Sequence, residues 1–226
     1  RNGNVILVQA DNEPYPPIES FGAEMGCFGQ PGTFKEWLCD KYDGDIQTLN
    51  RQWGTRYQDF EQACVFFHEP YVDPEATMGE RLLPGEMYGR RFADTHEFIG
   101  WYAAKIVSTV GGWLRETGVD VPVYGNGWSR LYQDLCQLME VADLAGTDIY
   151  PKPFFGGGQG GADNWRYNID ILKQQEADVT DGNVWSAEYQ SGLYPISQVG
   201  YLPPQHYRFV DLTMMARGLK GWNWYM

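Results

Sequence analysis

"VILVQADNEPY", residues 5 to 15, runs apolar for four residues, turns polar through Gln9, Asp11 and Asn12, and delivers Glu13 directly before Pro14. Such a run reads as a buried strand, and the carboxylate followed by proline marks the point where the strand leaves its sheet. The pattern recurs along the chain. "VPVYGNGW" ends on Asn126 and Trp128, "LAGTDIYP" on Asp148 and Tyr150, and "NVWSAEYQSG" on Glu188 and Gln190; "LKGWNWYM" supplies a fifth strand.

Helical patterns separate these strands. In "TFKEWLCDKY", Thr33 and Glu36 have capping-box spacing, and Phe34, Trp37 and Leu38 share a face. "DIQTLNRQWG" puts Ile46, Leu49 and Trp53 on one stripe, with Gly54 placed to stop it. Residues 65 to 91, broken by Pro70, Pro74 and Pro84, read as a long irregular excursion over a site. From Asp94 the apolar residues Phe98, Ile99, Tyr102, Ile106, Val107, Val110, Trp113 and Leu114 recur at helical spacing, and Gly118 follows as a stop. "RLYQDLCQLMEVA", "NWRYNIDILKQQEA" with Asn164 as cap, and "HYRFVDLTMMARG" are the remaining helices.

Strands alternating with helices make a parallel sheet, so the fold class is α/β. An open doubly wound sheet and a (β/α)8 barrel both satisfy the alternation, and polar residues gathered at successive strand ends favour the barrel. Five strands cannot close a ring of about eight, so about three β-α units are expected upstream. The missing initial Met and the terminal strand also predict a segment of a longer chain. On this reading residues 1–226 form the C-terminal part, strands four to eight, of one TIM-barrel domain.

A chain of 226 residues, 43% of them hydrophobic, can bury a sizeable core, which excludes global disorder. A net charge of −13 would repel phosphate backbones, so nucleic acid is not an expected partner. No run approaches the ~20 apolar residues of a membrane helix, and no membrane association is expected. The N-terminus carries no signal-peptide pattern, but a leader upstream would be invisible, so the compartment is unknown. Cys27, Cys39, Cys64 and Cys136 lack zinc-site spacing and read as buried thiols or one disulfide; neither metal nor other cofactor is expected.

Glu13 and Glu188 are the two glutamates at the ends of apolar strands, and in a barrel they converge over its axis. Glycosidic cleavage needs two such groups, one to protonate the departing oxygen and one to attack the anomeric carbon or activate water. The bland alternative is a structural ion pair at each strand end.

Here a family resemblance enters. "QADNEPY" resembles the fourth-strand motif of the glycoside hydrolase clan A barrels, in which Asn precedes the acid/base Glu. "WSAEYQSG" is similar to their seventh-strand nucleophile segment, in the Glu-x-Gln-x-Gly form of β-galactosidases of families 42 and 35. "FKEWLCDKYDGDIQTLNRQWGTRYQDFEQ" and "GLKGWNWYM" resemble the family 42 stretches after the fourth strand and before the eighth. The resemblance implies a retaining β-galactosidase acting on carbohydrate, with Glu13 as acid/base, Glu188 as nucleophile, Asn12 on the sugar 2-hydroxyl and Tyr150 holding the nucleophile. Other clan A exo-glycosidase specificities, for a glucosaminide, arabinoside or fucoside, stay open. Asn126 and Trp128, at the next strand end, are further substrate-binding candidates, as are Trp222 and Trp224. Family members are often oligomeric, but no residue here fixes subunit number. The family's frequent zinc-binding cysteine cluster is not reproduced in the spacing here.

Two rivals differ in class. Gly156, Gly158 and Gly161 formally complete a dinucleotide fingerprint, which would suit an NAD-dependent oxidoreductase. "YPKPFF" separates those glycines from their strand, and no acidic strand end follows ~20 residues later, so a rim loop is the better reading. A sugar-binding barrel without turnover is the other rival, opposed by the presence of both glutamates.

Overall fold

Five strands pair in parallel in the order in which they follow along the chain: β1 (Val8–Gln9), β2 (Val123–Gly127), β3 (Leu144–Ile149), β4 (Trp185–Gln190) and β5 (Gly221–Tyr225). The computed structural model describes residues 3–14, 32–63, 86–127, 135–149, 185–190 and 204–225. Helices α1 (Thr33–Lys41), α2 (Ile46–Trp53), α3 (Glu86–Glu116), α4 (Leu135–Val141) and α5 (Pro204–Ala216) complete the described elements, with a 3-10 turn at Phe60–Gln62. The chain divides into two compact units, Arg1–Pro14 with Ala103–Met226, and Tyr15–Tyr102.

In the unit that contains the sheet, neighbouring residues along each strand part to opposite faces, as a two-residue period requires. Ile149 and Tyr189 join Val210 and Met214 of α5 and Leu219 in one core cluster. Ala10 and Val123 join Val107 of α3 and Leu138 of α4 in another. The helices therefore cover one face, while Asn126, Asp148 and Glu188 occupy the other. The C-terminal end of α3 is tied to the sheet by Arg115, whose guanidinium donates to the Val119 and Val121 carbonyls and to Asp143. Asp143 in turn accepts from the Val123 amide at 2.7 Å, which sets the start of β2.

β4 carries one residue more than its neighbours. Thr147 lies opposite Ser186, but Asp148 lies opposite Glu188, so Ala187 is the extra residue of a bulge. Against β5 the register shifts in the same stretch, between Ser186 and Tyr189. The Ser186 hydroxyl satisfies the interrupted ladder, at 3.0 Å from the carbonyls of both Thr147 and Glu188. Gly146 makes room for it: a Cβ there would stand 2.6 Å from the Ala187 Cβ and 2.9 Å from the Trp185 ring.

In the other unit, α1 buries Phe34 and Leu38 with Trp37 half-buried beside them, the face expected from the spacing. Gly32 is the N-cap and Thr33 makes no side-chain cap, so the capping box is not formed. α2 begins on Asp45, whose carboxylate accepts from the Gln47 amide, and ends on Gly54 at φ 69°, a left-handed position that suits glycine.

Three further expectations change. α3 begins at Glu86, within the stretch read as irregular, and from Arg90 to Asp94 it packs by charge and ring contact. Arg91 is buried over the Trp53 ring at 5.7 Å, and Arg90 lies 3.1 Å from the fully buried Asp94, which accepts from Tyr42 at 2.5 Å and Trp53 at 2.7 Å. An apolar-periodicity search cannot register a helix face made of cations and rings. Trp113, assigned to the apolar stripe, is 61% exposed. The first strand is only two residues long, and Val5 and Ile6 are exposed ahead of it. Among the described residues no helix is long and apolar enough to cross a membrane.

Candidate active site

The strand ends bring together residues that are far apart in sequence. Carboxylate oxygens of Glu13, Asp148 and Glu188 all lie within 4.8 Å of one another. Asp148 and Glu188 are buried, and Glu13 is half-buried. Glu13 follows β1 with a left-handed backbone, φ 46°, which no glycine relieves. Its amide donates to Asn126 Oδ1 at 2.8 Å, a bond that holds the strained turn.

Asn126 is the hub. It is fully buried on β2, and its Oδ1 also accepts from Gln9 Nε2 at 2.8 Å. Two donors on the oxygen settle which way the amide points, so Nδ2 must face the acids. It lies 3.2 Å from each Asp148 oxygen, 3.4 Å from Glu188 and 3.3 Å from Asn12 Oδ1. The chain of bonds extends backward, since Tyr124 donates to Gln9 Oε1 at 2.9 Å. Gln9 Nε2 further reaches the Asp11 carbonyl at 3.0 Å and Asn12 Oδ1 at 3.2 Å.

Three charges at this spacing strain the site electrostatically: two charges 4.8 Å apart, the widest separation in the trio, repel by about 3.5 kcal/mol at an effective dielectric near 20. Protons relieve the strain. Burial, then the Glu188 charge, push the Asp148 carboxyl up to about 9; the Asn126 hydrogen bond opposes this, and Glu13 adds to it. Glu13 is also raised, by burial first; its hydrogen bond with Asp148 pulls the other way and the Glu188 charge adds to the rise. Tyr124 is raised by burial and by the charges of Asp148 and Glu188. Among the described residues this is the one trio of potential metal-binding side chains so close together. The Asn126 amide faces two of the three, Asp148 and Glu188.

The sequence candidates are placed unevenly. Glu13, Glu188 and Asn126 converge; Asn12 stands at the exposed rim with Oδ1 facing Gln9 and Asn126. Asn126, expected to touch substrate, has no exposed surface, and its amide is occupied by protein partners. Trp222 and Trp224, also expected as sugar contacts, pack around Tyr189 with centroids at 5.5 and 5.3 Å, on the helix-covered face away from the carboxylates. Trp128, Tyr150 and the glycines at 156–161 lie outside the described residues, as do Cys27 and Cys64; Cys39 is a free thiol. Asp148 and Gln9 stood out in the sequence only as polar strand ends, and Tyr124 not at all. Its position two residues before Asn126, hence on the same face, was the available signal.

Parallel strands in chain order, helices on one face and acids gathered at the C-terminal strand ends on the other define a segment of an α/β barrel. The whole chain, residues 1–226, matches the glycoside hydrolase family 42 β-galactosidase family, and the chain belongs to it. It is 27% identical over 139 residues to β-galactosidase GanA of Bacillus subtilis, covering 58% of this chain and 19% of that protein. Among solved structures it resembles a cold-adapted β-galactosidase from Rahnella sp. R3, at TM-score 0.67 and 18% identity, over 94% of this chain and 29% of that one. It also resembles an exo-carrageenase of family 42 from Bacteroides ovatus, at TM-score 0.59 and 17% identity, over 95% of this chain and 30% of that one. The chain thus spans less than a third of the length of each of these proteins.

Proposed function

We propose that this chain is the acid-bearing part of a catalytic barrel that hydrolyses terminal β-D-galactosides with retention of anomeric configuration. The observation that carries the reading is the approach of the Glu13 and Glu188 carboxylates to within 4.8 Å from strand ends 175 residues apart (188 − 13). Retaining enzymes place their two carboxyls about 5 to 5.5 Å apart, whereas inverting enzymes leave about 6.5 to 9.5 Å for a water. Family membership supports galactose as the sugar.

Glu188, ionised, attacks the anomeric carbon while Glu13 delivers its proton to the leaving oxygen. The raised proton affinity of Glu13 keeps it charged with that proton at the outset. Once Glu188 is esterified its negative charge is gone, Glu13 loses a cause of its raised affinity, and as a carboxylate it takes the proton of the attacking water. Asn12, at the rim beside Glu13, would bond the sugar 2-hydroxyl, a contact that strengthens in the transition state. Tyr150, one residue past β3, is proposed to hold the nucleophile.

The test is hydrolysis of an aryl β-D-galactoside by the full-length protein, with a panel of other aryl glycosides beside it. Glu188→Gly should lower turnover by more than about 10³-fold, and the first sugar released by the unmodified enzyme should be the β-anomer by proton NMR. Undiminished turnover in Glu188→Gly, or an α-anomer released first, would remove the mechanism. Preference for another aryl glycoside would move the specificity and leave the chemistry intact.

A further inference from the structure

Two glutamates suffice for the double displacement, yet the cluster holds three carboxyls. Asp148 is the most deeply enclosed of them, 3% exposed against 6% for Glu188. The fold goes to some length to put it there: the Ala187 bulge shifts the register so that Asp148 stands directly across from Glu188, and Gly146 omits a side chain to admit that bulge. Among the described residues, the groups placed against Asp148 are Glu13 from the end of β1, Tyr124 and Asn126 from β2, and Glu188 from β4. Each is neutral or acidic, so these neighbours supply no counter-charge.

We propose, resting on the reading of the site given above, that Asp148 is a positioning residue: a neutral carboxyl whose O–H donates to Glu13 and steadies it in its ionised, base form. Asn126 presents its amide to both Asp148 oxygens, which fixes the plane of the carboxyl, and the Glu13 carboxylate stands within 4.8 Å as the acceptor for its proton. The arrangement answers the conflicting demands on Glu13. Burial raises its proton affinity for the acid step, and the Asp148 donor limits that rise so that the proton can leave. Asp148 itself neither touches the sugar nor changes protonation during turnover.

Two replacements in the full-length protein separate this role from others. Asp148→Asn keeps a donor toward Glu13 and an acceptor toward Asn126 but cannot carry charge. Its basic limb in kcat/KM against pH should stay within about 0.3 pH unit of the unmodified enzyme, with activity within about tenfold. Asp148→Ala removes the donor, so the limb should rise by about one pH unit as Glu13 holds its proton more tightly. A fall of the limb in Asp148→Asn would show that Asp148 is ionised, and an unmoved limb in both variants would show a purely structural role; either overturns the proposal. Infrared spectroscopy gives a readout independent of turnover and of whether the alanine variant folds. Protonated carboxyls give a C=O stretch distinct from that of carboxylates; the unmodified protein at neutral pH should show one such band more than Asp148→Asn, which keeps only that of Glu13, and an unchanged protonated-carboxyl region in Asp148→Asn also overturns the proposal. Failure of the wider reading would show instead as turnover surviving in Glu188→Gly.

Discussion

Replacing Asn126 with alanine removes the side chain through which the strand-end acids are held together. The amide has no exposed surface, so water cannot take over its bonds without rearrangement. Gln9 Nε2 keeps two other acceptors, Asp11 O and Asn12 Oδ1, and is not orphaned. The Glu13 amide loses the 2.8 Å bond to Oδ1, and the Asp148 and Glu188 carboxyls lose a shared donor. Leaving a buried donor or acceptor unsatisfied costs about 1–3 kcal/mol, so two such losses, partly relaxed, should lower stability by about 2–4 kcal/mol. The catalytic loss follows from the backbone. A left-handed conformation at a residue with a Cβ costs about 1–2 kcal/mol, and the bond to Asn126 is what opposes relaxation of Glu13. Once Glu13 shifts by ~1 Å, a loss near 10²-fold in kcat/KM is expected. Urea unfolding and aryl galactoside kinetics on the full-length protein measure the two effects. Stability within about 0.5 kcal/mol together with kcat/KM within about threefold would show that Asn126 holds nothing, and the account of the site would fail.

Glu13→Gly should abolish hydrolysis yet raise stability by about 1 kcal/mol or more, because it relieves the positive φ and removes one carboxylate from the cluster; chemical denaturation decides it. Gly146→Ala should cost about 1–3 kcal/mol in the same assay, since its Cβ would meet Ala187 at 2.6 Å with strand backbone on both sides. Asp148→Asn should melt above the unmodified protein at neutral pH. The folded Asp148 keeps a proton that the unfolded chain releases near pH ~3.9, so its contribution is intact below that value and is lost as pH rises toward about 9. The difference in Tm should therefore widen from pH 4 to pH 9 and disappear below pH 4; a constant gap would contradict the protonated carboxyl.

Much of the sheet was legible in one dimension. The five strands, their parallel order and the residues at their ends follow from short apolar runs bounded by polar residues and separated by helical stretches, because strand and helix periods are local properties of the chain. α2 was equally plain, with an apolar stripe and a glycine at its stop. The start of α3 was hidden, because Arg90, Arg91 and Asp94 do there by charge and ring contact what leucines do elsewhere. Trp222 and Trp224 were misread because an aromatic near a strand end can face either side of a sheet, and only the register of β5 on β4 assigns the side.

The acids divide along the same line. Glu13 and Glu188 could be picked out from their place at the ends of apolar runs, and the family could be inferred from the motifs around them. Nothing in the order of residues announced that Asp148 would lie within 4.8 Å of both, or that Asn126 would be buried beneath them with its amide fully engaged. Those facts depend on a one-residue bulge at Ala187 and on the lateral pairing of strands that are tens of residues apart. Local sequence sets which residues form a strand and which face each side chain takes. Proton affinity depends on what surrounds a carboxyl in space, and that is established only when the strands pack side by side.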